Sequence, residues 1–194
     1  KWAKAAAAAK EVIDLKQYEL NTVQDTTYTL PIGVPVSNYP DGCGGINPIK
    51  SYSQCFNGEL TTSSNPELVF LRPDRGIHDV NDIILHCTPS SLSGWNTICA
   101  TQKQVDAYYM CDGSKINSSS TNYPYQINGF TVSNSQYKNL PANVSLQYAN
   151  REPRFYASIA FSGSIWENSS TNDSKLWNKQ IFYYKGSNEG KKLS

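Results

Sequence analysis

Apolar and polar residues alternate most regularly in the segment that follows Pro153. The proline ring fixes its own φ and pushes Glu152 into an extended conformation, so the chain enters this segment already stretched. The apolar residues then share one face with a period of two, which predicts a β-strand with one buried side that ends at Ser162 and Gly163. The alternating residues are Phe155, Ala157, Ile159 and Phe161.

A second apolar run, at residues 180–186, provides an antiparallel partner for this strand. The two runs therefore predict a small β-hairpin with a polar connection that displays Trp166 and Trp177. A further short apolar run at residues 65–71 is interpreted as a strand or a brief buried extended segment, which the Arg-Pro pair at 72–73 ends.

Residues 1–16 predict an amphipathic helix, since the alanines at positions 5–9 have the highest intrinsic helix propensity. Small alanine side chains let a neighbouring helix approach closely, so we expect this helix to pack against another one. No partner helix is evident downstream. We therefore expect the partner to precede Lys1, which makes the chain a piece of a longer protein. The residues on the shared face are Trp2, Ala6, Ala9 and Ile13.

A second helix is predicted to start at Thr101. Thr101 and Gln104 have the spacing of a capping box, in which the threonine hydroxyl accepts from the Gln104 N–H and the glutamine side chain reaches back. The Asp-Gly pair at 112–113 provides the stop signal. The residues expected to pack on the buried face of this helix are Val105, Tyr108 and Tyr109.

Turn-forming residues dominate two stretches, 18–62 and 117–150, which we expect to be mostly ordered loop. Loops of this length in a compact domain usually carry function. The first stretch contains Tyr39 and Tyr52. A shorter loop at residues 89–94 precedes Trp95, which stands among small polar residues.

Composition mainly excludes some classes of partner and ligand. The chain has 194 residues, of which 17 are basic and 16 acidic, so its formal net charge of +1 creates no field that would attract nucleic acid or an anionic membrane surface. The cysteines include no C-x-x-C pair, which argues against zinc, and their odd number leaves at least one thiol unpaired. Disulfides are an open alternative, but a chain of this size does not need them, so we expect buried free thiols. The five cysteines are Cys43, Cys55, Cys87, Cys99 and Cys111.

Three separated stretches occur in an order that resembles one known family. The first, residues 2–20, joins the alanine-rich helix to a Tyr-Glu-Leu sequence. The second, residues 100–113, is the capped helix with its Asp-Gly stop, and the third, residues 151–156, reads Arg-Glu-Pro-Arg-Phe-Tyr. Together they resemble the SusD-like (SusD/RagB) nutrient-binding outer-membrane lipoproteins of the Bacteroidetes.

This resemblance implies a mainly α-helical fold, in which a tetratricopeptide-type scaffold of helix pairs supports long ordered loops that build a binding face. Residues 1–194 would then be a middle fragment of one SusD-like domain. Within it, residues 1–16 would be the last scaffold helix and residues 17–194 a loop-rich binding-face subdomain that includes the small hairpin. The lipidated N-terminal cysteine of the family would lie outside this fragment.

The same resemblance implies a function. Members of the family hold glycan or another nutrient at the mouth of a SusC-type TonB-dependent transporter, and they are not enzymes. The chain is therefore expected to be non-catalytic and lipid-anchored at the extracellular face of the outer membrane. Its expected partners are a glycan or oligosaccharide and the transporter, with no cofactor, metal or nucleic acid.

A sugar site needs flat apolar faces against sugar C–H groups, together with polar groups that pair with the hydroxyls. Aromatic residues in loops rich in Asn, Asp and Arg meet this need, although a large aromatic residue is more often part of the core. The ligand-binding candidates, in order of preference, are Trp95, Tyr52, Tyr39 and Trp166. The charged residues interpreted instead as a structural, partly buried ion-pair network are Arg151, Glu152 and Arg154.

The alternative function is an extracellular glycosidase or its carbohydrate-binding module, and an adhesin-like or scaffold role is a third hypothesis. Glycoside hydrolysis needs two carboxyl groups at a defined separation, and the sequence nominates no pair. The histidines, His78 and His86, lie in neither a G-x-S-x-G nor an H-E-x-x-H context. The carboxylates that a fold could bring together are Glu67, Asp79, Asp82 and Glu167.

Overall fold

The structure, a computed structural model, describes residues 1–24, 45–70, 83–133, 140–166 and 178–190. The chain divides into two compact units, one formed by Lys1–Tyr28 with Cys43–Pro73 and the other by Thr29–Gly42 with Asp74–Ser194. The described residues form helices, turns and a small two-stranded sheet, which agrees with a mainly α-helical fold. In those five ranges, no helix combines the length and apolar character that a membrane crossing requires.

In the first unit, helix α1 comprises Trp2–Asp14 and confirms the helix predicted at the start of the chain. Lys10 and Asp14 pair across one helical turn, with 2.8 Å between Nζ and Oδ1. The described residues bury no side chain of α1, and Trp2 is 88% exposed. The expected contact with another helix is therefore not made here, and a partner that precedes Lys1 stays a prediction.

Helix α2, Pro48–Gln54, lies where the sequence predicts loop. The Asn47 side chain accepts a hydrogen bond from the Lys50 N–H at 2.9 Å, and Pro48 occupies the first turn. An asparagine cap and a proline in the first turn both favour helix initiation, so the Asn-Pro pair starts a helix instead of a turn. The loop prediction is wrong at this point, and Tyr52 is a helical residue.

Residues 65–70 form turns and bends, so the strand predicted there is wrong. The Asn65 side chain accepts a hydrogen bond from the Glu67 N–H at 3.1 Å, as in an Asx turn. The side chains of Val69 and Phe70 are 58% and 84% exposed, which also excludes a buried extended segment.

The second unit contains helix α3 at residues 83–87, helix α4 at Gln102–Asp106 and helix α5 at Pro153–Ser158. Short 3₁₀ helices occur at Ser90–Leu92, Ile116–Ser118 and Leu146–Tyr148. Strand β1, Ile165–Trp166, pairs antiparallel with strand β2, Lys179–Gln180. The described residues between these elements are mostly turns, bends and irregular chain, as the loop-rich composition predicts.

Helix α5 replaces the strand predicted after Pro153. The proline occupies the first turn, and Glu152 before it is extended, with φ −61° and ψ 154°. The Ile159 N–H donates to the Phe155 carbonyl at 2.9 Å, which closes a helical turn. Apolar residues at 155 and 159 fit both a period of two and a helical i, i+4 pair, so this short run does not discriminate between them. The strand prediction is wrong.

An antiparallel strand pair does exist, but it is shorter than predicted and its first strand lies later in the chain. Ile165 pairs with Gln180 and Trp166 with Lys179. Two backbone bonds continue the pairing, from the Gly163 N–H to the Ile181 carbonyl at 2.6 Å and from the Ile181 N–H to the Ser164 carbonyl at 3.1 Å. Trp166 therefore lies on a strand and not in the connection, while Trp177 lies outside the described residues.

The core of the second unit forms around Phe155, whose side chain is 0% exposed. Its ring lies 5.5 Å from that of Phe161 and 5.8 Å from that of Tyr108, measured between ring centroids. Val105 and Val144 complete the cluster. Burying one such aromatic side chain contributes about 1.5–3 kcal/mol, so this cluster fixes α5 against the chain on either side of it.

Helix α4 has the predicted cap, because the Thr101 hydroxyl accepts from the Gln104 N–H at 3.3 Å. The helix ends at Asp106, well before the Asp-Gly pair that was expected to stop it. Tyr108 still packs against the core, as predicted. The packing prediction is wrong for Tyr109, which follows the helix and is 38% exposed.

Arg151 stabilises the end of α4 from within the core. Its side chain is 1% exposed, and its guanidinium donates to the carbonyls of Val105 at 2.7 Å and Tyr108 at 2.8 Å. The guanidinium carbon also lies 4.8 Å from the centroid of the Phe155 ring, a cation–π distance. Burial lowers the pKa of Arg151. The predicted structural role is confirmed, although carbonyls rather than carboxylates accept its hydrogen bonds.

The predicted ion pair forms between the neighbouring residues. Arg154 Nη2 lies 2.5 Å from Glu152 Oε2, with the arginine side chain 53% exposed. The other carboxylate oxygen of Glu152 accepts from the Tyr109 N–H at 2.9 Å. This pair therefore joins the start of α5 to the chain that leaves α4.

Candidate functional site

Trp95 is the best-placed ligand candidate among the described residues of the second unit. It follows α3 and the loop at 89–94, and its side chain is 53% exposed. The His86 ring meets the indole nearly at right angles, at 85°, with 4.7 Å between centroids. His86 is in turn hydrogen-bonded to the Thr97 hydroxyl through Nδ1. The His86 ring thus supports the indole, while part of the Trp95 surface stays open.

The backbone holds this tryptophan in place by completing the end of α3. The Trp95 N–H donates to the Leu85 carbonyl at 2.6 Å, and the N–H groups of Thr97 and Ile98 donate to the His86 carbonyl at 2.9 and 3.1 Å. Carbonyls at a helix C-terminus have no partner within the helix, so the returning chain satisfies them. The segment at 95–98 is therefore fixed to α3 by hydrogen bonds.

Gly94 permits this return. A Cβ atom at this position would lie 2.1 Å from the Thr88 carbonyl oxygen, a separation that no side chain tolerates. The preceding residue, Ser93, has a φ of 69° and lies in the left-handed region. The tight reversal before Trp95 therefore depends on glycine at position 94.

Glu189 anchors the loop from a distant part of the chain. Its carboxylate accepts from the N–H groups of Ser90 and Ser91, both at 2.8 Å, and from the Ser90 hydroxyl at 2.6 Å. Burial acts to raise the pKa of Glu189, but these hydrogen bonds outweigh it and hold the pKa below its ordinary value. The carboxylate therefore remains ionised and fixes the 3₁₀ helix that leads to Trp95.

Trp166 is half-buried on strand β1. Burial raises the pKa of the Tyr183 hydroxyl, and the nearby Trp166 side chain partly offsets that rise. The segment at 178–190 pairs with the strand of Trp166 and, through Glu189, holds the 3₁₀ helix that precedes Trp95. The structure thus attaches these two tryptophans to one segment.

Of the two tyrosine candidates, Tyr52 lies among the described residues. Tyr52 is in the first unit, on α2, where its ring lies 5.1 Å from the ring of Phe56. Phe56 is 74% exposed, so this aromatic pair also presents an open surface. Tyr39 lies outside the described residues, and its position as a ligand-binding residue stays a prediction.

The carboxylates and histidines considered for hydrolysis do not form a described cluster. Glu67 accepts from the Asn21 N–H at 2.8 Å in the first unit. Asp79, Asp82, Glu167 and His78 lie outside the described residues. Within the ranges that are described, no three His, Cys, Asp or Glu side chains are grouped as a metal site would require.

Sequence reasoning missed His86 and Glu189 as parts of the site. Their roles depend on contacts with Trp95 and Ser90 that no local sequence pattern predicts. The expectation of buried thiols is also wrong for Cys87 and Cys99, which are both exposed. The turn-forming residues at 89–94 were a usable signal, because they predicted the reversal that brings the chain back to α3.

Comparison with known proteins assigns the chain to a family. A model of the SusD family matches residues 17–193. The chain belongs to the SusD family. The recognition made from three short stretches is confirmed, and membership implies glycan binding in nutrient uptake by proteins that are typically non-catalytic. Searches of curated proteins and of solved structures found no match.

Proposed function

We propose that this SusD-family chain binds a glycan or oligosaccharide at the cell surface without catalysis and presents it to a SusC-type TonB-dependent transporter. The protein would be lipid-anchored at the extracellular face of the outer membrane, with the anchor outside this fragment. Residues 1–194 would form part of one SusD-like domain, with residues 1–16 as its last scaffold helix. The exposed, supported indole of Trp95 is the observation that carries the assignment of the site.

An indole in this setting suits a sugar ring. Its flat apolar face can cover sugar C–H groups, while the polar groups beside it can pair with hydroxyls. The Trp95 backbone is fixed by its N–H bond to the Leu85 carbonyl, and the indole contacts His86, so part of the ordering cost of binding is already met. Trp166 would extend this surface. Tyr52 with Phe56, and Tyr39, are candidates for further contacts.

Titration calorimetry against a panel of oligosaccharides tests the proposal. Trp95→Ala should weaken binding of the best ligand about 30-fold, because truncating an aromatic anchor at the centre of a binding surface costs about 2 kcal/mol. Trp2→Ala is the matched control, since it removes another exposed tryptophan, on α1. It should bind like the unchanged protein.

Two results would contradict the proposal. Equal affinity of the Trp95→Ala and Trp2→Ala variants would remove Trp95 from the site, and no binding to any glycan would reject the function. Incubation with the same oligosaccharides should release no new reducing ends. Turnover that is lost on Glu67→Gln would instead establish the glycosidase alternative.

A further inference from the structure

An exposed Asn-Gly pair follows helix α2. Asn57 and Gly58 are both exposed, and Gly58 lies in the left-handed region with a φ of 84°. Nothing lies within 4 Å of the position that a Cβ atom of this glycine would occupy, so this side of the turn is open. An asparagine before a glycine is chemically labile, because the uncrowded glycine nitrogen can approach the side-chain amide. The sequence contains a second such pair, Asn128 and Gly129.

The side chain of Asn57 is folded back along this turn. Its Oδ1 atom accepts from the Glu59 N–H at 3.0 Å, as in an Asx turn. That hydrogen bond closes a ring of atoms that includes the amide carbon of Asn57, Cγ, and the Gly58 nitrogen. A bond between these two atoms would close a five-membered succinimide from atoms that already belong to the ring. The Glu59 N–H would also stabilise the negative charge that develops on Oδ1 during the attack.

We propose that Asn57 is a site of spontaneous deamidation in the folded protein. The Gly58 nitrogen loses its proton and bonds to Asn57 Cγ, the Cγ–Nδ2 bond breaks, and the amide nitrogen leaves as ammonia with that proton. Water then adds to one carbonyl carbon of the succinimide, whose bond to the ring nitrogen breaks. The product is an aspartate or isoaspartate residue. One nitrogen is exchanged for one oxygen from water, and no atom is oxidised or reduced.

The second Asn-Gly pair is restrained by another part of the chain. The Gly129 carbonyl accepts from the Leu146 N–H at 3.1 Å, and the Thr131 N–H donates to the Val144 carbonyl at 2.8 Å. A Cβ atom on Gly129 would lie 3.0 Å from Leu146 Cδ1, so this glycine is also packed against a side chain. Closing a succinimide turns the peptide between Asn128 and Gly129 and would break this pairing. Asn128 is therefore the internal comparison for the proposed site.

Deamidation would change the end of α2. The Asn57 amide donates to Glu59 Oε1 at 2.8 Å, and Gln54 Nε2 donates to Oε2 of the same carboxylate at 2.9 Å. The hydrogen bonds from Gln54 and Asn57 lower the pKa of Glu59. The product carries a second carboxylate in place of the amide donor, so one hydrogen bond is lost and like-charge repulsion is added. The reaction does not require glycan binding, so either proposal can fail without the other.

Ageing the purified protein at neutral pH in water labelled with heavy oxygen tests the proposal. Each deamidation during ageing adds one heavy oxygen, whereas deamidation during a later digestion in ordinary water adds none. Trypsin places Asn57 in peptide 51–75 and Asn128 in peptide 116–138, and fragmentation locates the label within each peptide. We expect Asn57 to react about tenfold faster than Asn128, because the loss of one backbone hydrogen bond on the way to the transition state slows a step by about that factor.

Ageing the same protein in urea is the matched control. Unfolding removes both the Asx turn of Asn57 and the pairing of Gly129, so the two asparagines should then react at similar rates. Asn57→Gln should remove the label from peptide 51–75 and leave peptide 116–138 unchanged. The proposal is overturned if Asn128 reacts as fast as Asn57 in the folded protein, if Asn57 reacts faster in urea than in the folded protein, or if no label appears at Asn57.

Discussion

Single residues in this protein act mainly through the backbone groups that they satisfy. Arg151 has no described carboxylate in an ion pair with it, yet it lies in the core because carbonyls and aromatic faces surround its guanidinium. Glu189 has the opposite hydrogen-bonding role, since its carboxylate accepts from two backbone N–H groups. Both side chains fix the ends of short helices that have little stability of their own.

Arg151→Ala should destabilise the protein by roughly 2–4 kcal/mol. The change leaves the Val105 and Tyr108 carbonyls without their donor and opens a space beside Phe155. Arg154→Ala is the control, because it removes an arginine whose ion pair is half-exposed and worth about 0–1 kcal/mol. Urea unfolding curves compare the two. Equal losses of stability would show that Arg151 is not a core residue.

The lowered pKa of Glu189 predicts how the stability of the protein depends on pH. Its pKa is lower in the folded protein than the ordinary value of 4.5, so its contribution to stability is fully present above pH 4.5 and is lost as the pH falls through the folded pKa. Glu189→Gln should therefore lower the melting temperature at pH 7. The difference from the unchanged protein should shrink below about pH 4. A difference that is independent of pH would argue against an ionised carboxylate at this position.

At the scale of elements, local signals were reliable and short apolar runs were not. The alanine helix and the Thr101 cap could be predicted because helix propensity and capping depend on a few neighbouring residues. Helix α5 could not be predicted, since its six residues fit both the strand period of two and the helical i, i+4 spacing. Its contacts with Tyr108 and Arg151 decide between the two. Tertiary packing supplies that information.

The candidate site was likewise predictable only where local sequence signals determine it. Trp95 could be nominated from its polar neighbours and the turn before it. The exposure of Trp95 and its contact with His86 could not be predicted from the sequence, because they depend on hydrogen bonds from Trp95 and Ile98 to the end of α3. Tyr52 was expected in a loop but lies on a helix, since Asn47 caps a helix there.

At the scale of the whole molecule, stability should be uneven. The described residues bury none of the side chains of α1, and an isolated helix of 13 residues is marginal in water. The second unit instead encloses fully buried residues, including Met110, Phe155 and Ile181. Local opening should therefore be easy at the first helix and difficult in this core.

Hydrogen exchange followed by mass spectrometry checks this expectation. Peptides from Trp2–Asp14 should exchange fastest, and peptides that contain Phe155 or Ile181 should be strongly protected. The same measurement on a longer form of the protein tests the helix expected before Lys1, because a packed partner would protect α1. Slow exchange of α1 in the 194-residue chain would contradict its lack of buried contacts.

The hydrogen bonds between Glu189 and Ser90 span 99 residues of sequence. Contacts of such long range form late, since a large part of the chain must be ordered before its distant ends can meet. During synthesis, the Trp95 loop must wait for the segment that contains Glu189, while α1 has already emerged. Maturation of the loop is thus coupled to synthesis of residues 178–190, and a product terminated before them would carry its tryptophan on an unanchored loop.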